Sequence, residues 1–447
     1  MPVQTKLPSS ASLTQKFFYP PIRALFFFVF TIIPYYPIKR RNKPNLTGRF
    51  IWASSHSNFL CDTMPPGFEG PMPAKFLAKS TLFQFPIKGF LEFAGCLPLT
   101  RVEDAKNISK EARSQQNRAT FRLAIQAIKE GWPLAIFPEG TSIVAPGLVL
   151  PLKAGVAKLG FAAEEAHDFS LGLQALPVGL EYGSRTKVAS GLTIHYGKPL
   201  LFSDYRELHN EDRDAAVAKF MEDFTQELIR NFPHFRDERT QDLGRKLVAL
   251  GLCKSRFEAA QLFLRKESDT DFWNGLKARL RAFEEATKDN RIPVPAWGHR
   301  LRWKEIGAWR RRARGLFMLV CAPLAVFDLI NNSFPEFCLN TLVDYVAVDE
   351  TEKMSIRLIA APILLSLIFG LQFWLVKHFF VYSECAHPFG AYVAYAIFSC
   401  VIWYVAVHWR RQFKRLSSLF LFRFAGVDAR SESVAHYRAL RQYLGEF

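Results

Sequence analysis

Residues 133–142 read PLAIFPEGTS. The first five form a short uncharged apolar run, the pattern of a strand buried on both faces. Glu139 and Gly140 then stand where that strand gives way to a loop. A glycine there lets the backbone come close to a ligand, and the carboxylate can bind a hydroxyl or organise a site. A surface turn of the same composition is the plain alternative. Working outward, residues 114–129 have helical periodicity and stop at Gly131, and RFIWAS at 49–54 is another short apolar strand. Downstream, 152–166 reads as a helix, and 173–182 and 192–196 as further strands. Strands alternating with helices predict an α/β layer, a mixed sheet flanked by helices.

The chain has 447 residues, 58 Lys plus Arg against 41 Asp plus Glu, a net charge of +17 and 42 phenylalanines. With 49% hydrophobic residues it lacks the signature of disorder. At 22% charged residues it is no carrier made mostly of membrane spans. A strongly basic chain suits a phosphate-bearing partner, either nucleic acid or an anionic membrane. The seven cysteines are scattered, odd in number and without CxxC or Cys/His ligand spacing, which fits reduced thiols and implies no metal.

Charge and apolar residues are segregated. Residues 24–38, ALFFFVFTIIPYYPI, are uncharged, bordered by Arg23 and by Lys39, Arg40 and Arg41. This run is short for a span of about 20 residues and has Pro34 and Pro37 at its far end. An interfacial or re-entrant anchor over 1–44 is the preferred reading, with a tilted span or buried helix as alternatives. Residues 358–376 and 385–409 do meet the length rule, and the polar turn 377–384 makes them a hairpin. We therefore expect two full spans, about 358–380 and 386–409, with 315–333 re-entrant or a third segment. Basic clusters at 302–314 and 410–415 border this zone, and both sit on the cytoplasmic side if the span count is even. The expected organisation is an N-terminal anchor at 1–44, a catalytic domain at 45–202 and a charged helical region at 203–300. A basic linker with transmembrane region follows at 301–423, and then a cytoplasmic tail at 424–447.

Chemistry concentrates in four stretches of the α/β half. SSHSNFLCD carries His56 and Asp62 directly after a strand. A lone histidine at a strand end is usually structural. A nearby carboxylate sharpens the signal, because it fixes the ring tautomer and raises the basicity of the other nitrogen. Five residues separate the two, and a regular helix of 3.6 residues per turn does not bring them to one face. They meet only if the turn after His56 is non-helical or π-like. The second stretch runs from Lys79 to Arg101, whose guanidinium fork suits a phosphate. The third is FPEGTS at 137–142, and the fourth, ALPVGLEY, runs from 175 to 182. A solvated surface role is the alternative for Arg101 and, more heavily, for Lys79, Lys88 and Lys153.

Taken together and in this order, the four stretches resemble the glycerolipid acyltransferase family, which acylates glycerol 3-phosphate or lysophosphatidate. The resemblance covers about residues 45–200. It departs in two places: the family usually has four residues between His and Asp, and many members carry Arg where Ser142 stands. The longer spacing resembles a branch with fungal-type glycerol-3-phosphate and dihydroxyacetone-phosphate acyltransferases and bacterial relatives. So do the helical insert and the membrane segments with Ala322, Pro323, Asn332 and Pro335.

The resemblance implies a glycerol-3-phosphate acyltransferase-like α/β fold, then a helical insert and C-terminal transmembrane helices. It implies a membrane-bound O-acyltransferase of phospholipid biosynthesis, moving a fatty acyl group from acyl-CoA or acyl carrier protein to the sn-1 hydroxyl of glycerol 3-phosphate. Lysophosphatidate acylation and lysophospholipid remodelling are the alternatives. His56 is expected to take the hydroxyl proton and Asp62 to orient it. Arg101, Glu139, Gly140, Thr141 and Lys79 are expected at the substrate. Neither cofactor nor metal is implied; the thioester is a co-substrate. Anionic lipids are expected partners and nucleic acid is not, since the densest basic clusters flank membrane segments. The expected location is an integral membrane protein with its site on the cytoplasmic face, in the inner membrane of a bacterium or the endoplasmic reticulum of a eukaryote. An inactive scaffold with this fold is disfavoured by the intact His56, Asp62 and Glu139.

Overall fold

The structure, a computed structural model, describes residues 21, 24–25, 27–70, 74–84, 88–93, 95–100, 109–288, 294–305, 307–380, 388–424 and 432–445. Arg101 and part of the expected turn at 377–384 lie outside the described residues. The chain divides into two compact units, Met1–Phe232 with Val348–Ser355, and Pro233–Ala347 with Ile356–Phe447.

The first unit is built on one mixed sheet. Its strands are β1 (Ile38–Arg41), β2 (Phe50–Ser54), β3 (Lys75–Lys79), β4 (Cys96–Leu99), β5 (Leu134–Ile136), β6 (Gln174–Tyr182), β7 (Leu192–Tyr196) and β8 (Leu200–Leu201). The order is β1-β7-β6-β2-β5-β3-β4, with β8 also on β6. β2 is central and parallel to both neighbours, so Ile51 stands between Leu134 of β5 and Ala175 of β6. β6 runs antiparallel to β7 and β8. Every residue of β2 is buried, as a strand covered on both faces requires.

Side chains alternate across that strand. Ile51 and Ala53 join Leu134 and Ile136 in a core completed by the helices Lys110–Lys129, Gly155–Glu165 and Arg213–Arg230. On the other face the Trp52 ring packs edge-on against Tyr196 at 5.6 Å. In the first core Phe161, Phe202, Phe220 and Phe224 contact one another in stacked and edge-on pairs. Gly160 makes this possible, because a Cβ there would run into the Phe202 ring.

Three sequence boundaries move. Ile38–Arg41, expected within the membrane anchor, is an edge strand in register with β7. Arg40 of this strand and Lys43 just beyond it both pair with the buried Glu69, which hydropathy alone does not reveal. The helix Arg213–Arg230, expected in a separate charged region, lays Phe220, Phe224 and Leu228 against the sheet core. Its N-cap is Asp212, which accepts from the Asp214 and Ala215 N–H groups. The C-terminal stretch expected as a tail forms the helix Glu432–Gly445, whose Val434, Tyr437 and Leu440 are buried.

That last helix belongs to the second unit. There Leu247, Phe263, Phe272, Leu276, Phe283 and Trp297 share a core with Tyr437 and Leu440, and the Tyr437 hydroxyl donates to the Leu250 carbonyl at 2.8 Å. Two helices are long and apolar enough to cross a membrane, Lys353–His378 and Pro388–Ser418. A further pair, Ala308–Val320 and Ala322–Asn331, meets the same composition test but bends by 46°, as a re-entrant loop or a broken span would. The buried Asp328 of that pair faces Arg410 at 3.1 Å, and Asn332 donates to the Ser399 carbonyl. Buried polar groups are thus paired where water is scarce.

Candidate active site

In open parallel sheets, ligands bind outside the carboxyl ends of the strands. β2 ends at Ser54, and the chain is at once pinned to β6. The Ser55 N–H donates to the Val178 carbonyl at 3.1 Å, and its hydroxyl accepts from the Leu180 N–H at 3.0 Å. His56 follows. The next turn is not a regular α-helix: Asn58 has φ −145°, and a 3₁₀ helix over Phe59–Thr63 begins with Phe59 at φ +42°. This turn brings together the two residues that a regular helix would separate. His56 Nδ1 lies 3.0 Å from Asp62 Oδ2.

Asp62 is fully buried and accepts from more than the histidine. The Ser57 and Asn58 N–H groups donate to Oδ2 at 2.7 and 2.6 Å. The Tyr182 hydroxyl donates to Oδ1 at 2.6 Å. Burial raises the Tyr182 phenol well above its usual value, so it remains a donor. The His56 ring stacks on Phe137 at 4.1 Å with 17° between planes. Asp62 therefore fixes the Nδ1–H tautomer, and Phe137 fixes the ring plane. In that tautomer Nε2 carries the free lone pair.

Glu139 stands beside this pair, and both its oxygens reach backbone. Oε1 accepts from the His56 N–H at 2.6 Å and Oε2 from the Val149 N–H at 2.8 Å. Burial pushes its carboxyl up to about 7. Of the two roles open in the sequence, this geometry is that of an organiser. Gly140 has φ +69°, and a Cβ there would meet the Lys153 side chain. Thr141 follows, half-buried, in the same turn. Lys79 closes β3, which is separated from β2 by β5 alone. Arg101 lies outside the described residues.

Cys61 is buried next to Asp62, 3.6 Å from the Ser355 hydroxyl, and burial pushes its thiol up to about 12. A thiol held so far from its thiolate is a poor nucleophile. Sequence reading did not single out Phe137 or Tyr182 as participants. Tyr182 ends the fourth stretch, but no spacing rule links it to Asp62, 120 residues earlier. Tyr35, whose hydroxyl accepts from Asn58 Nδ2 at 2.6 Å and whose ring meets Tyr182 edge-on at 4.7 Å, was hidden inside an apolar run.

A histidine seated against a buried carboxylate, at the carboxyl edge of a mixed sheet, is an arrangement able to take up a hydroxyl proton. Residues 37–180 match the family model described as Acyltransferase, so this part of the chain carries an acyltransferase domain, with motifs similar to those of glycerolipid acyltransferases. Over 121 residues it is 32% identical to glycerol-3-phosphate O-acyltransferase 2 of Saccharomyces cerevisiae. That alignment covers 27% of this chain and 16% of the yeast protein. Over 81 residues it is 38% identical to an uncharacterized acyltransferase of Schizosaccharomyces pombe, covering 18% and 12% of the two chains.

Proposed function

We propose that this protein is a membrane-bound O-acyltransferase that transfers a fatty acyl group from a thioester, acyl-CoA or acyl carrier protein, to the sn-1 hydroxyl of glycerol 3-phosphate. The observation that carries this reading is the 3.0 Å contact of His56 Nδ1 with a buried Asp62 held by three further donors. His56 Nε2 takes the proton of the acceptor hydroxyl as the oxygen attacks the thioester carbonyl. Asp62 stabilises the imidazolium that forms, and the tetrahedral intermediate collapses with loss of the thiolate, which recovers the proton from His56. No covalent acyl-enzyme is needed.

Arg101, Lys79, Gly140 and Thr141 are the proposed contacts for acceptor and donor, Arg101 through its fork on the phosphate. The membrane helices hold the protein to the bilayer, and the basic residues at 302–314 and 410–415 place the catalytic unit on the cytoplasmic side and attract anionic lipid.

The test is acyl transfer by purified protein from labelled oleoyl-CoA to glycerol 3-phosphate, dihydroxyacetone phosphate and lysophosphatidate in turn, with His56→Ala as control. The reading expects glycerol 3-phosphate to be the best acceptor and His56→Ala to be inactive while still folded and membrane-bound. Preference for lysophosphatidate would move the acceptor, and undiminished activity of His56→Ala would remove the mechanism.

A further inference from the structure

Four consecutive backbone N–H groups, from His56 to Phe59, each donate to a side-chain oxygen, the middle two to a shared one. Those of Ser57 and Asn58 donate to Asp62 Oδ2 at 2.7 and 2.6 Å. The outer two are taken up from the loop after β5. The His56 N–H donates to Glu139 Oε1 at 2.6 Å, and the Phe59 N–H donates to Ser142 Oγ at 3.0 Å. Residues 139 and 142 thus hold residues 56 and 59 as two rungs with the same three-residue step on either side.

We propose that Ser142 is a positioning residue for the catalytic turn. Its hydroxyl fixes Phe59 in place and, through it, the N–H groups that seat Asp62 against His56. The proposal rests on the acyl-transfer reading of His56 and Asp62.

The argument begins with the backbone. Phe59 has φ +42°, a conformation that side chains other than glycine seldom adopt unless the surroundings hold them there. It is also the first residue of a 3₁₀ helix whose N-cap, Asn58, makes no side-chain capping bond. The Asn58 side chain is turned to the Tyr35 hydroxyl instead. The Phe59 N–H is an orphan helix donor, and Ser142 supplies its acceptor from 83 residues away. Without that oxygen, Phe59 can relax to negative φ. The relaxation rotates the peptide that links it to Asn58, and so disturbs the neighbouring peptide, whose Asn58 N–H is one of the two on Asp62. An arginine at 142 has no acceptor to offer, so a serine there suits the five-residue turn between His56 and Asp62. The two departures from the family pattern noted in the sequence are coupled in space.

Steady-state kinetics of the full-length protein with oleoyl-CoA and its best acceptor test this, with Ser142→Ala, Ser142→Thr and Ser142→Arg run beside wild type and His56→Ala. We expect Ser142→Ala to lower kcat about tenfold, roughly one hydrogen bond's worth, with KM for the acceptor unchanged. Ser142→Thr, which keeps the hydroxyl, should stay within about threefold of wild type, and Ser142→Arg should fall at least as far as alanine. A rise in KM at constant kcat would make Ser142 a substrate contact and overturn the proposal. So would a threonine variant as impaired as the alanine one. Hydrogen–deuterium exchange of full-length protein gives a readout independent of turnover. Peptides spanning 56–62 should exchange about tenfold faster in Ser142→Ala than in wild type or Ser142→Thr, as loss of one hydrogen bond predicts. Equal exchange in all three would overturn the proposal. Absence of acyl transfer by wild type, or full activity of His56→Ala, would instead strike the acyl-transfer reading, and the exchange experiment would still decide whether Ser142 holds the turn.

Discussion

Tyr182, the last residue of β6, donates its hydroxyl to Oδ1 of Asp62 at 2.6 Å, while His56 holds Oδ2 at 3.0 Å. The aspartate is gripped from both sides, and the central sheet sets the grip, because β6 lies directly beside the strand that leads into His56. Tyr182→Phe removes this donor and keeps the ring. We expect kcat to fall about tenfold at constant KM, since one hydrogen bond that orients the carboxylate is lost. Steady-state kinetics on the best acceptor would show it. A change in KM alone would mean that Asp62 keeps its orientation without the tyrosine.

Asp62 and Cys61 are neighbours with opposite expectations. Asp62→Asn keeps the shape but offers an amide where the His56 ring needs a carboxylate. By analogy with the Asp of serine-protease triads, activity should drop by about 10³–10⁴-fold. Cys61→Ala should leave activity within about twofold, because a buried thiol pushed up to about 12 supplies no thiolate at neutral pH. Thiol-blocking reagents should likewise spare activity. A larger loss from Cys61→Ala than from Asp62→Asn would reassign the orienting role.

Glu139 gives a pH signature. Its carboxyl rises from an ordinary 4.5 to about 7 through burial. Between those values the folded protein keeps a proton that the unfolded chain releases. The stabilisation is complete below about 4.5 and is lost as pH rises through about 7. It amounts to at most about 3 kcal/mol. Glu139→Gln has no proton to lose. The apparent melting temperature of wild type in detergent should therefore fall more steeply from pH 5 to pH 8 than that of the variant. Parallel curves would reject a raised carboxyl at this position.

Gly160 tests the packing behind the site. Alanine normally stabilises a helix interior by about 1 kcal/mol over glycine. Here the added methyl would meet the fully buried Phe202 ring, and overpacking should cost about 1–3 kcal/mol instead. A lower melting temperature for Gly160→Ala is the expected result. A higher one would show that the Phe161, Phe202 and Phe220 stack has room to yield.

Much of this molecule is legible locally. The apolar runs around 49–54 and 133–137 are strands because burial on both faces demands uncharged, short segments. The helices that flank them follow from periodicity and from caps such as Asp212. His56 and Asp62 could be paired from their residue types, with the condition that the turn between them be non-helical or π-like; the chain leaves helical geometry at Asn58 and Phe59, the latter at φ +42°, and then runs as a 3₁₀ helix to Thr63. The edge strand Ile38–Arg41 was less legible. Its lysine and arginines read as a membrane flank, and only the pairing with β7 and the Arg40 contact with the buried Glu69 show that it belongs to the sheet.

The sequence by itself determined the α/β alternation, the pairing of a histidine with a nearby carboxylate, and the two long apolar helices. All of these depend on composition and on spacings of a few residues. Only the tertiary structure decided that Tyr182 would hold Asp62, that Glu139 would spend both oxygens on backbone, that Ser142 would catch the Phe59 N–H, and that Glu432–Gly445 would enter a core with Leu247 and Phe283. These partners lie 83 or more residues apart or answer to a loop whose course is set elsewhere. Sheet order and helix packing bring them together, and no local periodicity encodes that order.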